Sequence, residues 1–173
     1  MRKFVVREDK HYCRWWWTKI FFPRYNYHLW SGKFMLTSSC WWSNPRDLND
    51  FDINKVVGVG FGVNHHKNSW RIGYIPIFEN ENRFKIYGYF YDKSSNTHVS
   101  EFIGIIEADK EYSFEAESID NIYFIVIKEG VGYCSFENVT DDPKLQFTLY
   151  PYVGGDNTAI RDMYIYVELK YIK

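Results

Sequence analysis

Between Ile53 and Phe78 the chain reads INKVVGVGFGVNHHKNSWRIGYIPIF, and this stretch limits what the whole can become. Val57, Val59, Phe61 and Val63 alternate with Gly58, Gly60 and Gly62. A period of two sets apolar side chains on one face of a strand and leaves the other face bare. The bare face offers a second layer a close approach. A turn-forming cluster from Asn64 to Ser69 interrupts the run, and Trp70, Ile72 and Tyr74 resume it. The expectation is a β-hairpin at the middle of a sheet, with the remaining chain built around it.

A chain of 173 residues suits one domain spanning 1–173, and at that size about 70% of the unfolded chain's surface can be buried. Lys plus Arg number 21 and Asp plus Glu 22, a formal charge of −1 without long blocks of one sign, so no nucleic-acid footprint is expected. The first residues, MRKFVVREDK, hold only Phe4, Val5 and Val6 before charge returns, too short for the apolar core of a signal peptide. No run of about 20 apolar residues predicts a membrane span. The expected location is therefore a virion or the cytoplasm, with no membrane contact. Cys13, Cys40 and Cys134 are odd in number and far apart, which predicts buried or half-buried thiols in a reducing compartment rather than a disulfide framework or a zinc knuckle.

Aromatic residues make up 21% of the chain, and rings pack well on pleated surfaces. Phe84, Ile86 and Phe90 alternate with Lys85, Tyr87, Tyr89 and Tyr91; Tyr112, Phe114 and Ala116 with Ser113, Glu115 and Glu117; Met163, Ile165, Val167 and Leu169 with Tyr164, Tyr166, Glu168 and Lys170. Ile122 to Ile127 is apolar on both faces, as in a strand covered on both sides or in contact with a partner. Turn signals recur about every ten residues and no window has helical periodicity. The predicted fold is all-β: an antiparallel β-sandwich of jelly-roll, concanavalin-like type with about ten strands.

Two segments, GFGVNHHKNSWRIGY at 60–74 and YPYVGGDNTAIRDMYIYV at 150–167, resemble small concanavalin-like or jelly-roll proteins of tailed phages and gut anaerobes. The resemblance covers about a third of the chain. Pro151, Gly154, Gly155 and Asp162 match its Pro-Tyr-x-Gly-Gly loop and following aspartate, while Ala159-Ile160-Arg161 stand where a proline is usual. It implies the fold far more firmly than an activity, because such sandwiches host lectins, glycanases and virion proteins alike.

His65 and His66 are adjacent, so in extended chain they point to opposite sides and make a poor pair of metal ligands. With Asn68, Ser69, Arg71 and Asp162 they read as a structural polar cluster that fixes the hairpin end. No cofactor is expected. Asp141-Asp142 and Gly155-Asp156-Asn157 offer loop oxygens to a structural calcium, without the spacing of an EF-hand. Glu115 and Glu117 share one strand face, where a retaining glycosidase needs two carboxyls, but a Glu-x-Asp-x-Glu strand pattern is missing and a solvated face explains them.

The surplus of indoles is more telling. Trp15 and Trp17 fall on one strand face and Trp16 on the other; with Trp41 and Trp42 they are candidates for contact with a partner, and Tyr87, Tyr89 and Tyr91 join them as a stacking platform for sugars. The leading expectation is a non-enzymatic structural and interaction module, an accessory protein of a phage particle, using its tryptophan-rich part, 1–52, to hold protein partners or further copies of itself. The alternative is a glycan-binding, lectin-like module. A more distant one is a glycan-active hydrolase using Glu115 or Glu117.

Overall fold

The computed structural model describes residues 1–13, 24–42, 52–62, 68–92, 97–120, 122–137, 145–154 and 158–173. Among them lie twelve strands: β1 (Arg2–Val6), β2 (Arg24–Tyr25), β3 (Leu29–Leu36), β4 (Asn54–Phe61), β5 (Ser69–Pro76), β6 (Arg83–Asp92), β7 (Thr97–Glu107), β8 (Tyr112–Ile119), β9 (Ile122–Ile127), β10 (Gly132–Phe136), β11 (Leu145–Leu149) and β12 (Met163–Ile172). A single 3-10 turn at Ser38–Cys40 is the one helical segment in the described residues. No described helix is long and apolar enough to cross a membrane.

The strands form two six-stranded antiparallel sheets, β1-β12-β3-β8-β9-β10 and β2-β11-β4-β5-β6-β7. Twelve strands stand where about ten were expected. Part of the excess is β1, whose three apolar residues are too few for the core of a signal peptide yet place Phe4 and Val6 in the core at 3% and 0% exposure. Its ladder comes from β12, more than 150 residues away, which local pattern does not reveal.

Alternation fills the space between the sheets. Trp30, Phe34 and Leu36 enter from the first sheet, and Val57, Val59, Phe61, Trp70, Ile72 and Tyr74 from the second. Trp30 and Trp70 meet across the gap with ring centroids 5.6 Å apart, and Trp70 crosses Phe114 at 6.4 Å. Tilted pairs of this kind suit the quadrupoles of the rings. The second layer therefore packs on the valine face of β4, not on its bare glycine face. That bare face is taken up within its own sheet: a Cβ at Gly58 would come within 2.7 Å of Arg71 Cγ and 2.1 Å of the Trp70 carbonyl.

The hairpins turn on residues in the left-handed region, Asn82, Asp109 and Asp120, with φ of 58°, 59° and 48°. Short polar side chains tolerate that conformation best. In β9 the two-faced apolar pattern resolves into Tyr123, Ile125 and Ile127 inside, with Val126 39% exposed on the outer face.

Candidate functional site

The hairpin register lays out three rungs across the outer face of the second sheet. Gly60, Ser69, Tyr91 and His98 form one; Gly58, Arg71, Tyr89 and Ser100 the next; Lys55, Gly73, Tyr87 and Phe102 the third. Because Trp70, Ile72, Phe84, Ile86 and Phe90 point into the core, these alternate residues face away from it. A β-bulge between Lys55 and Val57 buries both valines beside it and turns Lys55 outward. Bulges re-aim side chains in this way.

Arg71 lies at the centre and is only 7% exposed. Its side chain rests on Gly58, and its Nε has no hydrogen-bond partner among the described residues. Burial holds its pKa down at about 10, opposed by the phenols of Tyr89, Tyr91 and Tyr152. Lys55 Nζ stands 4.6 Å from the centroid of the Tyr89 ring. Burial, and then the charge of Arg71, bring the ammonium down to about 8, with Asp52 pulling the other way. Burial, with the hydrogen bond to Tyr91, raises the Tyr89 phenol. Tyr89 stacks on His98 at 5.0 Å and 14°, and its hydroxyl donates to Tyr91 Oη at 3.5 Å.

The loop after β11 closes one side. Lys55 and Tyr152 exchange backbone hydrogen bonds of 2.7 and 3.0 Å, and the Gly154 N–H donates to Asn54 Oδ1 at 3.0 Å in a buried contact. A side chain at 154 would collide with the Ile53 carbonyl at 2.4 Å and with Lys55 Nζ at 2.8 Å. Gly154 thus gives the ammonium its room.

The face combines aromatic walls, phenol hydroxyls and two cations over glycine backbone that the Arg71 stem and Ile53 cover. Of the residues picked out by sequence, it gathers Tyr87, Tyr89, Tyr91 and Arg71. Trp42 instead packs in the core against Phe78 at 5% exposure, and Trp41 is half-buried with its indole N–H donated to the Ile77 carbonyl at 2.9 Å. Trp15, Trp16, Trp17, His65 and His66 lie outside the described residues, as do the calcium candidates Asp141, Asp142, Gly155, Asp156 and Asn157.

The polar cluster expected at the hairpin end divides among the residues described. Arg71 lies on the outer face but is buried there, Asn68 is buried with neither amide atom paired among the described residues, and Asp162 binds the Arg7 guanidinium and the Glu8 N–H on the amino-terminal segment. Glu115 and Glu117 belong to β8 in the other sheet, where Glu115 pairs with Lys128 at 2.5 Å. Lys55 escaped notice because its orientation is set by the bulge, which leaves no mark in the alternation.

No protein-family description matches this chain, and no curated protein matches its sequence. Solved structures do share its fold. The alginate lyase of Klebsiella pneumoniae superposes with a TM-score of 0.61 at 7% identity, over 84% of this chain and 60% of that one. A family 7 alginate lyase in complex with product gives 0.53 at 12% identity, over 89% and 66%. A non-specific endo-β-1,3(4)-glucanase of family GH16 gives 0.52 at 8%, over 83% and 56%. This chain therefore spans about 60% of the length of the first of these proteins. At such identities the likeness establishes the jelly-roll β-sandwich, as expected. The three proteins are named as polysaccharide lyases and a glucanase, and none as a virion protein. That finding overturns the expectation of a non-enzymatic phage accessory module, and with it the exclusion of catalysis.

Proposed function

We propose that the outer face of β4, β5 and β6 binds a polysaccharide, with residues 1–173 acting as one domain. The observation that carries this reading is the row of Tyr87, Tyr89 and Tyr91 on one side of β6, set over the sunken guanidinium of Arg71. Alternate residues of a strand stand about 6.6–6.8 Å apart, so the half-buried rings of Tyr87 and Tyr91 flank the buried Tyr89 and are spread along the direction of an extended chain of sugar rings. Tyrosine suits the task because a rigid ring stacks on an apolar sugar face while its hydroxyl bonds the rim. The shared fold of the alginate lyases and the glucanase supports a glycan in preference to a protein partner.

Cleavage of the bound chain is the second reading. It is favoured by Lys55, an amine beside an arginine whose depressed pKa lets it take up and release a proton close to neutral pH. Titration of the protein against a panel of soluble polysaccharides tests both. Binding is expected, weakened roughly 3–10-fold by Tyr87→Ala or Tyr91→Ala, as a lost aromatic contact of about 0.5–1.5 kcal/mol implies. The same mixtures, read for new chain ends, separate recognition from cleavage. A panel without a single binder overturns the proposal.

A further inference from the structure

Four cations at the surface have acids: Arg7 with Asp162, Lys33 with Glu111 at 2.6 Å, Lys128 with Glu115 at 2.5 Å, Lys170 with Glu168 at 2.8 Å. Lys3, Arg24, Lys110 and Lys173 lie instead over tyrosine rings. On the outer face of the second sheet, neither the buried Arg71 nor the half-buried Lys55 forms an ion pair among the described residues, Asp52 acting on Lys55 only through its charge, and Arg71 Nε has no hydrogen-bond partner among them. An exposed charge needs no partner, while a buried one is costly without it.

The strain falls on both groups. Arg71 is held down at about 10 by its burial and Lys55 at about 8 by burial and by the Arg71 charge. Asp52 is the acid whose charge reaches Lys55, and it does not offset the lowering by burial and by Arg71. The floor beneath the pair is glycine backbone at Gly58, Gly60 and Gly73, covered at Gly58 by the stem of Arg71 and at Gly73 by Ile53. An anion arriving here meets a planar fork of donors from Arg71 and a point charge from Lys55, the combination that fits the oxygens of a carboxylate or a sulfate ester. It relieves both cations at once, and relief of that kind appears as binding energy.

We propose that this face selects a polyanionic glycan, one bearing carboxylates or sulfate esters on its rings, and that Arg71 and Lys55 together hold one such group. The inference rests on the glycan reading above and goes further by fixing the charge of the ligand. A neutral glucan offers the pair nothing that water does not.

The test uses the whole chain and four probes: polygalacturonate, the same polymer with its carboxylates reduced to alcohols, a sulfated galactan and a neutral β-1,3-glucan. Each is titrated at about 50 mM and about 300 mM NaCl, conditions that differ severalfold in screening. One of the two acidic polymers is expected to bind at least about tenfold more tightly than the glucan, as one charge-assisted contact implies, and to weaken in the higher salt. If the carboxylate is the group recognised, carboxyl reduction abolishes the binding; if the sulfate ester is, the galactan binds and polygalacturonate does not. Arg71→Gln and Lys55→Met each lower acidic binding about tenfold, Lys55→Arg retains it, and Lys85→Met, on the same strand face but outside the pair, leaves it unchanged. The reduced polymer keeps the test decisive should the Arg71 variant fail to fold. Equal, salt-insensitive binding of acidic and neutral polymers overturns the charge selection and leaves the glycan reading standing. No binding to any of the four overturns the charge selection together with the reading beneath it.

Discussion

Lys55 shows how a single side chain is held under tension. Its folded pKa of about 8 lies below its ordinary 10.5, so burial penalises the protonated form. Below pH 8 both the folded and the unfolded chain carry the proton, and the penalty is felt in full. Between 8 and 10.5 the unfolded chain binds more protons than the folded one, so this residue makes stability rise with pH across that window. Lys55→Met is accordingly expected to raise the melting temperature at pH 7, each kcal/mol regained appearing as about 2–4 °C in a domain of this size. The advantage over the parent should shrink between pH 8 and 10. Melts of the two proteins across that range check it, and an advantage that stays constant with pH would refute the account. Comparing the pair cancels the buried thiols of Cys13 and Cys40, which burial pushes up to about 11 and which act in the opposite sense. At this scale Tyr87, Tyr89 and Tyr91 were legible, because alternation alone places them on one face. Arg71 was noticed for its place beside a turn; only the register reveals that it stands between Gly58 and Tyr89.

At the scale of strands, the glycine run of β4 was the clearest signal in the sequence, and the hairpin it announces is present with Gly58 opposite Arg71. The side on which the second layer packs was misjudged. A bare face invites close approach, but the bulk of Val57, Val59 and Phe61 has to be removed from water, and burial of apolar area at about 25 cal/mol per Å² decides which side turns inward. The glycines serve their own sheet instead. Gly58→Ala should cost about 1–3 kcal/mol, since its methyl would press on the Trp70 carbonyl, at 2.1 Å, and on the stem of Arg71. The same change should displace the guanidinium and weaken ligand binding. Urea titration and binding measured on one preparation test this together: unaltered stability would show that the strands part to admit the methyl. The bulges at Lys55/Val57 and Ile86/Tyr87 were beyond reach of the sequence, because one extra residue reverses the parity of a strand without changing its composition.

Across the whole molecule, the fold class was legible from strand length, turn spacing and ring content, but the order of strands was not. Pairings such as β1 with β12 join residues too far apart for any local pattern to specify. The edge strand β1 carries more weight than its five residues suggest. Removing residues 1–6 withdraws Phe4 and Val6 from the core, a loss of about 3–6 kcal/mol at roughly 1.5–3 kcal/mol for each buried side chain. It also uncovers the ladder groups of β12, so the shortened protein should melt earlier and associate through the new edge. Denaturation and light scattering measure both effects, and a monomer of unchanged stability would contradict the assignment. The position of β12, laddered on one side to β1 and on the other to β3, has a consequence for how the protein is made. On a ribosome those two flanking segments emerge long before the segment that joins them, so the nascent polypeptide must wait with a gap in its first sheet. Completion then depends on contacts of the longest range the chain possesses, a slow step during which unpaired edges stand open and a chaperone would find something to hold.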